Sequence, residues 1–173
     1  MTTRWLDAKE LVERLDEFVA LLTDAVTQGA SIGFMLPLPS GEAEGYWRKV
    51  AADVASGGKS LVGIFDEAGR LVGSAQLAWE TRPNGDHRAE VQKVMVRSER
   101  RGGGAGSTLM RAVEARARAA GRTLLFLDTS VGAAGATKFY ERLGYTFAGG
   151  IPDYARDPDG TLSANAIFYK RLS

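Results

Sequence analysis

Four glycines in five positions, Gly102-Gly103-Gly104-Ala105-Gly106, are costly to order and bring no side chains to pack. Such a run is best explained where the backbone itself must approach something closely. It stands between the apolar segment Val91-Gln92-Lys93-Val94-Met95-Val96 and a helical pattern from Ser107 to Ala120. The first turn of a helix carries N–H groups with no intrahelical partner, together with the positive end of the helix dipole. The chemistry on offer is the binding of a phosphate or pyrophosphate. Arg100 and Arg101 stand at the loop entrance. Arg97 to Arg122 holds seven arginines against Glu99 and Glu114, a surplus of five in a chain of formal net charge +1. Two carboxylates could move protons nearby: Glu90, in an otherwise largely apolar strand, and Asp128, which ends the run Leu124-Leu125-Phe126-Leu127. Each has a plain alternative, a solvated residue on an alternating strand for Glu90 and a turn or cap before Thr129 for Asp128. His87, the single histidine, follows Pro83-Asn84-Gly85 and reads as exposed.

Spacing separates three kinds of phosphate loop. A Walker loop needs a lysine beside its Ser/Thr, but Gly106 precedes Ser107 and no lysine lies between Lys93 and Lys138. A dinucleotide fingerprint fits Gly104-Ala105-Gly106 and then meets Leu109 where a third small residue is needed. Asp128 imitates the ribose-binding acid, so that reading stays open. A flexible linker is disfavoured by the strong strand and helix patterns on both sides. The third pattern, Arg/Gln-x-x-Gly-x-Gly/Ala, is met by Arg101, Gly104 and Gly106, and it resembles the coenzyme A pyrophosphate loop of the GNAT superfamily, the Gcn5-related N-acetyltransferases.

A chain of 173 residues, 45% hydrophobic and 25% charged, suits a single soluble domain over 1–173. The near-neutral balance gives no reason to expect nucleic acid. With zero cysteines there is no disulfide, thiolate nucleophile or Cys-ligated zinc. The start Met1-Thr2-Thr3-Arg4-Trp5 lacks an apolar signal core, and no apolar run nears the roughly 18 residues that span a bilayer, so no membrane association and a cytoplasmic location are expected.

The elements that must position these residues follow in order. Thr3 to Leu6 reads as an edge strand. Lys9 to Gln28 places Leu11, Leu15, Phe18, Leu22 and Val26 at helical spacing. Gln28 to Gly41 is a connection with apolar content, either packed over the core or covering a cleft. Glu42 to Ser56 reads as a second helix with Tyr46, Trp47, Val50 and Val54 inward. A hairpin follows, Leu61 to Phe65 and Leu71 to Trp79, then a polar loop and the strand Arg88 to Val96. Arg122 to Asp128 is too continuously apolar for a surface strand. Ala134 to Leu143 makes a short helix, Gly144 to Phe147 begins a strand, Ile151 to Thr161 is a loop, and Ala164 to Leu172 is the last strand.

That order resembles the GNAT plan over almost the whole chain. It implies an α/β (α+β) fold, a mixed twisted sheet of about seven strands splayed between strands four and five and flanked by about four helices. Ala89-Glu90-Val91 leading to Val94 and Val96 is similar to the family's strand four, and Ala136 with Phe139-Tyr140-Glu141-Arg142-Leu143-Gly144-Tyr145 to its Ala-x-x-x-Tyr-x-x-x-Gly-Phe/Tyr helix. One departure is Ala133, with Gly132 and Gly135 around it, where many members carry an asparagine. His87 to Val96, Leu127-Asp128-Thr129 and Ile151 to Arg156 resemble the tabtoxin-resistance acetyltransferases.

The resemblance implies acetyl-CoA as cosubstrate, no metal, and acetyl transfer to a primary amine by direct attack through a tetrahedral intermediate. Pyrophosphate would sit on the amides of Gly102, Gly103, Gly104, Ala105, Gly106 and Ser107 beside Arg101, with Thr129 among the coenzyme contacts. The pantetheine would pair with Val94 to Val96, where the amide of Met95 or Val96 polarises the thioester carbonyl. Tyr140, otherwise a core aromatic, would protonate the leaving thiolate. Glu90 and Asp128 would take the proton of the acceptor ammonium, and Trp79, Glu80, Asp153 and Tyr154 would line the acceptor side. The acceptor is a small molecule such as a toxin, antibiotic or amino-acid-like compound, under a cap made by 29–41 and 151–161. A protein N-terminus or lysine, and a non-catalytic coenzyme A sensor, are the alternatives, and a homodimer is left open.

Overall fold

A computed structural model describes residues 1–131 and 136–173 of the chain. The expected departure at Ala133, with Gly132 and Gly135, lies outside the described residues. The elements are β1 (Thr2–Leu6), α1 (Ala8–Glu13), α2 (Leu15–Thr27), α3 (Glu42–Ala55), β2 (Lys59–Phe65), β3 (Leu71–Trp79), β4 (Arg88–Val96), a 3-10 turn (Ser98–Arg100), α4 (Ala105–Ala119), β5 (Leu124–Ser130), α5 (Ala136–Arg142), β6 (Thr146–Gly149), β7 (Ala155–Arg156), β8 (Leu162–Ser163) and β9 (Asn165–Arg171). Seven strands form one sheet in the order β1-β2-β3-β4-β5-β9-β6, while β7 and β8 make a small hairpin of their own. β4 and β5 are the one parallel pair among the described strands.

The period of two along the strands sorts side chains onto two faces, and each face buries its own core. Val62, Ala75, Leu77, Val91, Leu125 and Leu127 pack under α4 through Leu109, Met110 and Val113. Leu61, Leu71 and Met95 pack on the other face beneath Leu11, Phe18, Leu22, Trp47 and Val50 of α1, α2 and α3. Burial of each such Leu, Phe or Met contributes about 1.5–3 kcal/mol.

Three of the element boundaries that differ from the expected ones have a plain physical cause. The helix expected over 9–28 is broken at Arg14, whose φ of −109° and ψ of 20° leave the helical region. Long-range bonds hold the break. Arg14 Nη1 donates to Glu17 Oε1 at 2.7 Å and to Gly69 O at 3.2 Å, and Glu17 Oε2 accepts from the amide of Leu71 at 2.7 Å. The helix expected from Ser107 begins at Ala105, because Gly104 at φ +82° ends the loop and Ala105 and Gly106 already belong to the first turn. The strand expected over 122–128 lies at Leu124–Ser130, since Arg122 still bonds Ala117 O of α4 and Thr123 bonds His87 O.

One partly buried ion pair, from Lys170 of β9, ties α4 to the end of α5. Lys170 Nζ donates to Glu114 Oε1 at 2.8 Å and to Leu143 O at 2.7 Å. Removing the lysine leaves the Leu143 carbonyl without its donor and the Glu114 carboxylate with only the longer Arg118 contact at 3.7 Å. Lys170→Met is expected to cost about 2–3 kcal/mol in a urea melt; a change of under about 0.5 kcal/mol would make the pair dispensable.

Candidate active site

β4 and β5 run side by side for only three register pairs, Arg88↔Leu124, Ala89↔Leu125 and Glu90↔Phe126, although β4 continues to Val96 and β5 to Ser130. The cause lies on the other edge of β4. Between the pairs Gln76↔Gln92 and Ser74↔Met95, β3 supplies Ala75 alone while β4 supplies both Lys93 and Val94. Lys93 absorbs the extra residue at φ +49°. A bulge of this kind bends its strand and raises the local twist, which carries β4 away from β5. Beyond Glu90, the edge of β4 facing β5 has no strand partner among the described residues. An extended ligand can pair there by adding itself to the sheet.

The glycine loop begins where β4 ends, and its entrance is fastened. The Arg97 amide donates to Val72 O at 2.8 Å and Arg97 Nε to Leu71 O at 2.7 Å. The Ser98 amide and hydroxyl both donate to the Asp24 carboxylate at 2.8 Å. Gly102 and Gly104 take φ of +79° and +82°, and Gly102, Gly103 and Gly104 are exposed. The N-cap of α4 makes no side-chain hydrogen bond, so the first-turn amides are left for an anion. Gly106 has a different use. A β-carbon there would lie 3.2 Å from Phe139 Cζ and 3.9 Å from Val96 Cγ2, so its bareness lets α5 close against the start of α4 and the end of β4.

The arginine surplus is not gathered at this loop. Arg116 lies over the Trp5 ring and Arg122 over the Trp79 ring, while Arg118 reaches Glu114 and the Ser173 carbonyl. Arg100 is drawn to Asp66 at 3.4 Å. Arg101, exposed and 3.4 Å from Val96 O through Nε, is the cation left beside the glycines. Asp66, Arg70, Glu99, Arg100, Arg101 and Gly103 border a depression of about 660 Å³ on the outer side of the loop.

Tyr140 sits on α5 with its ring packed among Phe139, Tyr145 and Phe168 at centroid distances of 5.0, 5.9 and 5.7 Å. Burial pushes its pKa up to about 12, so the phenol stays protonated at neutral pH. Its hydroxyl has no protein hydrogen-bond partner among the described residues. Phe139 rests on the start of α4, so the helix bearing Tyr140 closes directly over the glycine loop.

Glu90 and Asp128 share the sheet face opposite α4. Glu90 is the last residue of β4 that pairs with β5 and accepts from Gln92 Nε2 at 2.8 Å. Asp128 lies two residues past Phe126, the pairing partner of Glu90, and is itself paired with Ile167 of β9. Burial raises the Asp128 carboxyl above its ordinary pKa, while a hydrogen bond from Asn165 and the Lys93 ammonium oppose the rise. Thr129 alternates to the other face.

The structure separates two further candidates from this group. Trp79 packs on the α4 side and donates to Ser60 Oγ at 3.1 Å. Glu80 is clamped by Arg82 at 2.6 Å and Arg88 at 3.0 Å, contacts that hold its carboxyl far below the usual range. His87 is exposed, as expected. Asp153 and Tyr154 are exposed on the loop before β7. The two connections expected as a cap do meet, for the Leu36 amide donates to Pro158 O at 3.0 Å. The first is packed as well as capping, with Phe34 buried edge-on to Tyr46 at 5.3 Å.

Three residues of this face were not singled out as site residues from the sequence: Lys93, Tyr46 and Gln76. Gln76 Nε2 donates to the Tyr46 hydroxyl at 2.9 Å, Lys59 Nζ approaches Gln76 Oε1 at 3.4 Å, and burial pushes Tyr46 up to about 12. The available signal was a glutamine and a lysine inside apolar strands.

The sequence pattern of the Acetyltransferase (GNAT) family matches residues 15–145. The chain belongs to the GNAT acetyltransferase family. Among curated proteins, this GNAT chain is 34% identical over 95 residues to an IAA acetyltransferase of Azospirillum brasilense, a match covering 55% of this chain and 60% of that protein. It therefore spans under two thirds of that relative's length. Solved structures share the fold. The ribosomal-protein-alanine N-acetyltransferase of Brucella melitensis superposes with a TM-score of 0.80 at 22% identity, covering 99% of this chain and 100% of that one. The yncA protein of Salmonella typhimurium, solved with its cofactor acetyl-CoA, gives 0.76 at 18% identity, covering 100% and 94%. An N-acetyltransferase of Staphylococcus aureus gives 0.79 at 18%, covering 100% of both chains. No helix among the described residues of this GNAT protein is long and apolar enough to cross a membrane.

Proposed function

We propose that this GNAT chain is an acetyl-CoA-dependent N-acetyltransferase acting on a primary amine of a small molecule. The observation that carries the reading is the parting of β4 from β5 beside a glycine-led helix start with no side-chain cap. In this reading the amides of Gly102, Gly103, Gly104, Ala105, Gly106 and Ser107 hold the pyrophosphate with help from Arg101, and Thr129 adds a contact. The free edge of Val94 to Val96 takes the pantetheine arm as an added strand. Bound acetyl-CoA supplies an acyl thioester activated toward amines. The amide of Met95 or Val96 donates to its carbonyl oxygen, where negative charge develops during attack. Tyr140 gives its proton to the departing sulfur. An alkylamine of pKa about 10 is almost wholly protonated at pH 7, so Glu90 or Asp128, directly or through water, takes the proton that must leave. The segments Leu127-Asp128-Thr129 and 151–156 support a kinship with the tabtoxin-resistance group.

The meeting of Leu36 with Pro158 narrows the acceptor side and favours a small molecule over a peptide. A protein N-terminus is the second reading, favoured by the likeness to the Brucella enzyme. Thermal shift with acetyl-CoA, followed by thiol release across amines and N-terminal peptides, separates the two. Stabilisation without thiol release from any acceptor would overturn the catalytic reading in favour of a sensor.

The raised Asp128 pKa gives a sign to the pH dependence. The carboxylate is the active form of a base, so activity falls as pH drops through its folded pKa, which lies above the ordinary 3.8. Asp128→Asn is expected to lower kcat by about 10²-fold and to remove that acid limb from the kcat/KM profile. An unchanged limb would assign the base to Glu90 instead.

A further inference from the structure

Lys93 forms the bulge, and its conformation is an unusual one for a residue with a β-carbon. Backbone strain of this kind persists where the surroundings impose it, and it clusters at functional sites. The turn delivers the ammonium to the acceptor face. Nζ lies 5.9 Å from the Tyr46 ring centroid, and a β-carbon at Gly33 would stand 3.8 Å from it. The side chain is half-buried, yet no carboxylate forms an ion pair with it among the described residues. Charged neighbours act on it from a distance. Burial and the Lys59 ammonium of β2 lower its pKa, while Glu90 on its own strand and Asp128 on β5 work the other way.

A partly desolvated ammonium with no carboxylate in ion-pair contact among the described residues can take an anion, and this one shares a face with the two carboxylates assigned to the acceptor amine. The geometry points to an acceptor carrying a carboxylate close to its amine, an α-amino acid or a close analogue, with Lys93 binding the carboxylate while Glu90 and Asp128 receive the ammonium. Such a molecule presents its two charges a few bonds apart, matching cation and anions on one side of the cleft. This inference rests on the N-acetyltransferase reading and names its substrate class.

The test uses the full chain with acetyl-CoA and the proteinogenic L-amino acids, each beside its α-carboxamide and its decarboxylated amine, with simple alkylamines alongside. The quantity read is the ratio of kcat/KM for the carboxylate form to that for the amide. The wild type is expected to favour the carboxylate by at least about tenfold, the scale of one hydrogen bond to a charged group. Lys93→Gln should bring the ratio near one, mainly through KM for the acceptor, and Lys93→Arg should keep most of it. Melting temperature and acetyl-CoA affinity show that each variant is folded. A wild type that prefers the amide or shows no preference overturns the inference and leaves the acetyltransferase standing, as does a Lys93→Gln ratio equal to that of the wild type. Coenzyme binding with no turnover of any amine overturns the acetyltransferase reading and this inference with it.

Discussion

Tyr140→Phe is expected to lower kcat by about 10²–10³-fold while melting temperature and acetyl-CoA affinity stay close to those of the wild type. The ring supplies the packing, against Phe139, Tyr145 and Phe168, and phenylalanine keeps it. What is lost is one hydroxyl with no protein partner among the described residues. A coenzyme A thiol titrates near about 8.5 and its thiolate is a moderate leaving group, so a phenol held protonated up to about 12 can supply the proton throughout the neutral range. A second readout follows from that value. The wild type should show no alkaline loss of activity attributable to Tyr140 below pH about 11, since an acid stops working only as it deprotonates. Turnover of Tyr140→Phe within about threefold of the wild type would show that the thiolate leaves unprotonated or takes its proton from water.

The second large effect is expected at Gly106. A valine there brings a β-carbon to 3.2 Å from Phe139 Cζ and 3.4 Å from Phe139 Cε2, with two further methyl groups to accommodate. Overpacking of this kind costs about 1–3 kcal/mol, and relief requires α5 to move off the start of α4. Gly106→Val should therefore raise KM for acetyl-CoA by tenfold or more and lower kcat as well, because Tyr140 travels with Phe139. Gly104→Ala is the contrasting substitution. Nothing lies within 4 Å of its β-carbon, but the residue would be held at φ +82°, so the damage is confined to the loop and its amides. It should raise KM with little change in kcat. Equal kcat losses in both variants would break the link drawn between Phe139 and the catalytic position.

Local pattern made much of this legible. The glycine run, the apolar strand before it and the helix after it are neighbours in sequence, and their order alone placed β4, the loop and α4 within two residues of their observed bounds. The hairpin of β2 and β3 was legible for the same reason. The break at Arg14 was not, because nothing near Arg14 ends a helix; it depends on Gly69 and Leu71, more than 50 positions away. Gly106 reads with the glycines that let the backbone approach an anion, and its close contact with Phe139 across the fold is not foreseen from that pattern. Lys93 reads only as part of the apolar segment Val91 to Val96. The fact that it is the extra residue appears only once β3 is laid against β4, because a bulge belongs to a pair of strands. The seven arginines of 97–122 are adjacent in sequence but dispersed in space: Arg97, Arg100 and Arg101 flank the loop, while Arg111, Arg116 and Arg118 lie along α4 and Arg122 beyond it.

The bond from the Leu36 amide to the Pro158 carbonyl uses main-chain atoms alone. On the two connections it joins, the side chains of Met35, Leu36, Ile151 and Tyr154 are exposed. If the two connections frame the acceptor entrance as proposed, that doorway can be relined by substitution, in chemistry and in bore, without its two jambs coming apart. Variants selected for a new amine should accumulate changes at these four positions while the catalytic chain behind them stands still.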